Sequence, residues 1–403
     1  MLRNGNCRTE AGRSRRGVSR GAPFSFYLAL KCDILEDEMS FQVGIVGLPN
    51  VGKSTIFNAL TGAGAQVASY PFTTIEPNVG VVEVPDERLE KIAALVNPEK
   101  VTPTTIRFLD VAGLVKGASQ GEGLGNQFLG HIRNVDAIAM VVRCFQASDI
   151  PHVTEILDAR SDIEVINLEL ALADVSTVEK RLEKVKKGSK GMPKEYEAEL
   201  RLLERLHERL GRGDRAREVP RDAEEERILM GFGLLTAKPQ LYVANIDEEA
   251  CLDGDGLVKT VEEAAMSAGV EMVKICAQLE ADLVDWPPAE AEAYRAELGL
   301  RESGLRQVIS AGYRLLNLVT FFTTTGGREV RAWTVSKGTS ALEAAGKIHS
   351  DMQKGFIRAE VIPYDELMAA GSFAAARDKG VMRLEGREYE IREGDVVHFR
   401  FNV

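Results

Sequence analysis

The sequence predicts an α/β chain with a mostly parallel sheet wrapped by helices, a long helical hairpin inserted into it, and a small β-grasp domain of ubiquitin-like type at the end. Three observations predict this. Five short apolar runs, "FQVGIVG", "TIRFLDVAG", "AIAMVVRCF", "PQLYVANID" and "EMVKICA", alternate with helical patterns such as "KSTIFNALTGA" and "GNQFLGHIRNV". A polar helical stretch, 148–227, separates the third run from the fourth. From Leu318 the texture changes to strand, helix and strands.

The chain has 403 residues, 44% hydrophobic and 28% charged, enough to bury a sizeable core in two or three domains. Lys and Arg total 50 against 61 Asp and Glu, a net charge of -11. That balance argues against wholesale coating of nucleic acid and against sequence-specific DNA binding, while leaving room for local basic contacts to RNA. The 5 cysteines are scattered in no metal-like pairing and read as reduced thiols of a cytoplasmic chain. No apolar run reaches the roughly 20 residues of a membrane span.

Residues 1–38 are Arg/Gly-rich and aperiodic. They read as a disordered extension, as a transit-like segment, or as sequence ahead of a true start at Met39, which immediately precedes the first strand; the last is favoured. A first nucleotide-domain segment is expected over 39–147 and a second over 228–305. In the insert, Val165, Leu168, Leu172, Val175, Leu182 and Val185 follow three-four spacing, and after "KKGSKGMP" the pattern resumes with Tyr196, Leu200, Leu203 and Leu210. The Gly-Pro break predicts an antiparallel hairpin whose tip carries Lys184, Lys186, Lys187 and Lys190. That tip reads as a solvated loop or as a contact surface for RNA or protein. In 318–402, "REVRAWTV" predicts a strand, "TSALEAAGKIHSDM" a helix, and "REYEIREGDVVHFRFNV" a hairpin turning at Gly394 and Asp395.

The stretch "GLPNVGKS" matches G-x-x-x-x-G-K-[ST], with Gly47, Gly52, Lys53 and Ser54 in the fixed places. Glycines let backbone N–H groups close around phosphate oxygens, and the following helix points its positive end at them. Lys53 is expected to bridge the β- and γ-phosphates and Ser54 to ligate Mg²⁺. "DVAGL" ends a strand and places Asp110 as the carboxylate behind the metal, with Gly113 leaving room for the γ-phosphate. Thr73 or Thr74 in "YPFTTIEPN" offers a second hydroxyl. In this order the segments specify a nucleotide-hydrolysing G-domain.

These segments, with "VVRCF", "NIDE", "GYRLLNLVTFFT" and the closing "GDVVHFRFNV", resemble the YchF type of Obg-like ATPase over essentially Met39 to Val403. The resemblance implies a C-terminal TGS domain, hydrolysis of ATP in preference to GTP, association with the ribosome and its RNA, and a role in translation or stress. An Obg-type GTPase and a nucleotide-gated ribosome-binding module are the alternatives, and a monomer is expected. It further implies that Asn50, Val51, Gly52, Lys53, Ser54 and Thr55 wrap the triphosphate, and that Ser54 and Thr74 ligate Mg²⁺. One departure stands out: Met140 occupies a strand position where similar proteins often carry a histidine, and His131 reads as a helix-surface residue rather than its replacement.

Many GTPases place a glutamine after the glycine of D-x-x-G; here that position is Leu114, whose side chain can neither donate nor accept a hydrogen bond. Lys53, Gly113 and Asn50 remain as the catalytic candidates. Asn50 has two readings, a partner for a K⁺ ion beside the phosphates or a residue that stabilises the loop turn. In "YVANIDEE" the expected Asn-Lys-x-Asp of guanine sites becomes Asn245, Ile246, Asp247, Glu248. Asn245 is expected near the purine N7 and Ile246 as an apolar lid. Glu248, one methylene longer than Asp, fits guanine's paired donors poorly.

Overall fold

The computed structural model describes residues 41–62, 66–68, 78–111, 117, 124–147, 156–188, 196–251 and 256–402. In the first half of the chain the elements are β1 (Gln42–Val46), α1 (Lys53–Gly62), β2 (Gln66–Ala68), β3 (Asn78–Glu83), α2 (Glu87–Val96), β4 (Lys100–Thr102), β5 (Thr105–Asp110), α3 (Leu124–Asn134) and β6 (Ala137–Cys144). The hairpin region holds α4 (Ala159–Gly188), α5 (Glu197–Gly211) and α6 (Ala223–Met230). Then follow β7 (Gln240–Ile246), α7 (Gly256–Ala268), β8 (Glu271–Ile275), α8 (Ala277–Asp282), α9 (Pro288–Glu297) and α10 (Gly304–Leu315).

The first sheet has the order β2-β3-β5-β1-β6-β7-β8. The five expected runs form its parallel part, with β1 paired to β5 on one side and β6 on the other. Every residue of β6 and β7 is buried, as strands covered on both faces require. Two antiparallel strands at one end of the sheet, β2 at its edge and β3 between β2 and β5, were not expected. Their segments are short and contain no continuous apolar run, so periodicity gives no strand signal there.

The hairpin forms, but the apolar phase of its first helix differs from the expectation. Leu168 is 51% and Leu172 36% exposed, while Ile163, Ile166, Leu170 and Ala173 pack into the core of the first sheet. Only from Val175 onward does α4 turn its stripe, through Val178, Leu182 and Val185, to Leu202, Leu203, Leu206 and Leu210 of α5. The helix changes partner along its length, so a single heptad register cannot describe both halves. The return to the first sheet also comes later than 228. α6 starts at a capping box, with Asp222 accepting from the Glu225 N–H, and runs to Met230. Leu229 and Leu234 still pack in the hairpin core.

The last part contains β9 (Leu318–Thr324), β10 (Glu329–Ser336), α11 (Ala341–Ile348), α12 (Ser350–Lys354), β11 (Phe356–Pro363), α13 (Tyr364–Ala370), α14 (Phe373–Asp378), β12 (Arg383–Glu385) and β13 (Asp395–Phe401). Its sheet runs β12-β11-β13-β9-β10-β4. The expected terminal hairpin is corrected: its first arm, residues 387–393, forms no strand beyond an isolated bridge from Glu390 to Ser340, and β13 pairs with β11 and β9 instead. The buried Asp395 accepts from the Tyr389 hydroxyl (2.8 Å) and the Arg392 N–H (2.9 Å), turning the chain into a strand flanked by β11 and, in parallel, β9. A strand with partners on both sides cannot be read from a local turn. A second surprise is that β4 pairs with β10, and Leu89 and Ile92 of α2 pack with Phe322, Val330 and Val396. Part of the segment expected in the nucleotide domain thus completes the C-terminal sheet.

Candidate nucleotide site

β1 delivers the chain from a buried strand into the loop of residues 47–52, and α1 begins at Lys53. Asn50 sits at φ 62° and Gly52 at φ 95°. Asparagine tolerates this left-handed conformation better than most residues. At Gly52 even a Cβ is excluded, since it would lie 2.2 Å from Asn245 Nδ2. Gly52 and the first residues of the ten-residue α1, Lys53 to Thr55, line a cavity, and a helix N-terminus that opens on a cavity is suited to receive an anion.

Lys53 is 7% exposed and donates to the Leu48 carbonyl at 2.7 Å. Burial lowers its ammonium to about 8, while the negative charge of Asp110 pulls the other way. Asp110 ends β5, and its Oδ2 accepts from the Ser54 hydroxyl at 2.9 Å. Burial pushes this carboxyl up, opposed by the Ser54 hydrogen bond and by Lys53. Both oxygens are hard donors, and a partly desolvated carboxylate gains from a cation beside it. Mg²⁺ characteristically takes one or two such protein oxygens, together with phosphate and water.

The opposite end of the site is built by β7. Asn245 is 4% exposed; its Nδ2 donates to the Val51 carbonyl (2.9 Å) and its Oδ1 accepts from the Ala277 N–H (3.0 Å). The residue expected at the purine is thus first a clasp between the phosphate loop and the start of α8, leaving one amide hydrogen for a ligand. Ile246 is 5% exposed and belongs to the core, so it forms a wall rather than a mobile lid. Asp247 accepts from the Ala250 N–H at 2.9 Å, which caps the next turn. Glu248 is exposed, and its Oε1 accepts from the Tyr294 hydroxyl at 2.8 Å.

A cavity of about 670 Å³ joins the two ends, lined by Asn50 and by Gly52 to Thr55 on the phosphate side and by Asn245 to Glu248 on the other. Val51, expected to wrap the triphosphate, is not part of this lining: its side chain is 1% exposed in the core and its carbonyl is taken by Asn245. Sequence reasoning missed, among others, Phe145, which lines the cavity under the guanidinium of Arg143 (4.5 Å to the ring centroid), and Ala277, also in the lining; it missed as well Tyr294, which lies outside the lining but bonds Glu248. The aromatic directly after the buried run "AIAMVVRC" was the available signal for the first. Met140 is fully buried in β6, opposite Val46 and Tyr242. Thr74, Gly113 and Leu114 lie outside the described residues. No helix among the described residues is long and apolar enough to cross a membrane.

The chain is similar to known proteins over most of its length. Residues 42–179 match a family described as 50S ribosome-binding GTPase. Residues 318–402 match the C-terminal family of YchF GTPases, described as a protein of unknown function. The chain is 51% identical over 367 residues to the ribosome-binding ATPase YchF of Bacillus subtilis, spanning 91% of this chain and 100% of that protein. It is 48% identical over 365 residues to the ribosome-binding ATPase YchF of Escherichia coli O157:H7, with coverage of 91% and 100%. The solved YchF GTPase of Schizosaccharomyces pombe superposes with a TM-score of 0.80 at 36% identity, covering 90% of this chain and 98% of that one. Relatives called ATPase and GTPase thus share one fold, which puts the weight of the question on the base end of the cavity.

Proposed function

Because the chain belongs to the YchF family, we propose that it is a ribosome-associated ATPase, hydrolysing ATP to ADP and phosphate as a conformational switch in translation or stress regulation. The observation that carries this reading is one cavity with two ends. At one end Ser54 and Asp110 lie 2.9 Å apart beside Lys53; at the other a glutamate, Glu248, stands where guanine sites carry aspartate.

In this reading the α1 N-terminus and the Lys53 ammonium bind the β- and γ-phosphates, and Ser54 with Asp110 and Thr74 would hold Mg²⁺. The ion supplies charge neutralisation on the phosphates when bound. Catalysis is then positioning and charge, since neither Leu114 nor the buried Met140 handles a proton. Turnover is slow. The positive φ of Asn50 supports its turn-forming reading, and its place on the cavity wall supports the K⁺ reading. Faster phosphate release in K⁺ than in Na⁺ at matched ionic strength favours the cation; equal rates remove it.

The test of the main reading is titration calorimetry of ATP and GTP on the full chain, paired with ribosome co-sedimentation of the wild type and of Lys53→Ala. Tighter ATP binding and nucleotide-dependent sedimentation are expected. Tenfold tighter binding of GTP overturns the base assignment. The buried Met140 favours one alternative, a nucleotide-gated ribosome-binding module in which hydrolysis is minor. Unchanged ribosome release in an Asp110 variant that binds ATP but does not hydrolyse it would select that alternative.

A further inference from the structure

Given an adenine-selective site, as proposed above, we infer that Tyr294 is the positioning residue that enforces the selectivity, by holding the Glu248 carboxylate away from the base. Glu248 lines the cavity, whereas Tyr294 is absent from its lining and reaches the carboxylate from α9. The 2.8 Å hydrogen bond therefore draws the carboxylate toward the outer wall.

Tyr294 stands on a fixed post. The ring of Trp286 packs against it, centroids 5.6 Å apart at 42°. The neighbouring Arg295 donates to Glu280 at 2.9 Å, and Glu280, only 2% exposed, also accepts from Ser303 Oγ (2.9 Å) and the Gly304 N–H (2.6 Å). α9 is thus tied through a buried carboxylate to the start of α10. The phenol is thus presented from a helix tied to its neighbours, and the exposed Glu248 meets it there.

The consequence for the two purines is opposite in sign. Guanine offers two N–H donors on its Watson–Crick edge, and an inward carboxylate would accept both. To do so Glu248 must give up the Tyr294 hydroxyl. Adenine presents its N1 lone pair at the same place, and an inward carboxylate repels it. Keeping the carboxylate on the phenol relieves adenine and deprives guanine.

The experiment is a double-mutant cycle on the full chain: wild type, Tyr294→Phe, Glu248→Ala and the double variant, each titrated with ATP and with GTP. Phe keeps the ring against Trp286, and a melting curve for each variant checks folding. The Kd ratio of GTP to ATP is expected to fall about three- to tenfold in Tyr294→Phe, a modest figure because the contact is exposed. In the Glu248→Ala background the same substitution should leave the ratio unmoved. Equal weakening of both nucleotides, or a ratio change that persists without Glu248, overturns the role given to Tyr294. A wild type that prefers GTP refutes the adenine reading itself. An ATP-preferring wild type whose ratio ignores Tyr294→Phe refutes only the tyrosine.

Discussion

Asn245 holds the Val51 carbonyl at 2.9 Å, so the end of β7 and the phosphate loop are joined by one buried amide. The same side chain accepts from Ala277 on its other face, at 3.0 Å. The side chain thus links the loop to the start of α8, alongside the β1–β6–β7 pairing that carries both ends of the cavity. The clasp also explains why position 52 takes only glycine: its Cα surface is the surface against which the amide lies.

Replacing Asn245 by Ala should weaken both nucleotides together. The substitution leaves the Val51 carbonyl and the Ala277 N–H without their partner, at about 1–3 kcal/mol for each buried group. A lower melting temperature and parallel losses of ATP and GTP affinity are expected, measured by calorimetry. A loss confined to one purine would make the amide a base reader rather than a clasp.

Lys53 gives a pH signature. Burial holds its ammonium at about 8, so the nucleotide-free site is partly neutral above that pH. A bound triphosphate restores the charge, and binding near pH 9 must take up a proton. ATP affinity should fall about tenfold between pH 7 and pH 9, and titrations in buffers of different ionisation enthalpy should report the uptake. The stability sign is the reverse. The folded-state pKa lies below the unfolded one, so folding releases a proton between about 8 and 10.4, and the cost of the buried charge is fully present below that window. Lys53→Met should therefore melt higher than wild type at pH 7 while losing nucleotide.

The phosphate end was legible because its chemistry fixes residue types at fixed spacing. Gly52, Lys53 and Ser54 line one cavity and Asp110 bonds Ser54 there; the phosphate and metal roles read from the pattern are those proposed above. The five parallel strands were legible because burial on both faces demands continuous apolar runs. Three features were hidden for a common physical reason, that their partners are distant in sequence. Leu168 and Leu172 sit on the wrong face because the sheet, not α5, selects the first half of α4. β13 pairs with β9 and β11 instead of the adjacent residues 387–393. Tyr294 meets Glu248 across 46 residues, a contact that no local pattern encodes.

The hairpin's attachment rests on Asp174, which is fully buried in α4 and accepts from the Leu235 N–H (2.8 Å), the Thr236 N–H (2.8 Å) and the Thr236 hydroxyl (2.6 Å). Burial pushes its carboxyl up against those three bonds. Asp174→Ala should cost about 3 kcal/mol, since it strands three buried donors. Because Asp174 does not line the nucleotide cavity, ATP affinity should stay within about twofold, well under 1 kcal/mol. An unchanged melting temperature would show that the helix is held by its apolar face alone.

The base end yields the sharpest exchange. Glu248→Asp shortens the side chain by one methylene, which takes the carboxylate out of reach of the Tyr294 hydroxyl and into the position from which guanine's two donors can both be met. Ile246→Lys adds the stem that covers the base in guanine sites; at a position only 5% exposed its ammonium must extend along the cavity wall to reach water. The double variant should move the ATP-to-GTP preference toward GTP by about ten- to a hundredfold, the worth of a paired hydrogen bond to a charged acceptor at roughly 1.5–3 kcal/mol. Glu248→Asp alone should supply most of that shift, and Ile246→Lys should show mainly as a lower melting temperature, because it displaces a core side chain. Calorimetry of both nucleotides on all four chains decides the matter. Should the preference stay where the wild type has it, the carboxylate at position 248 is not what separates the purines, and the apolar wall around Phe145 becomes the place where adenine is chosen.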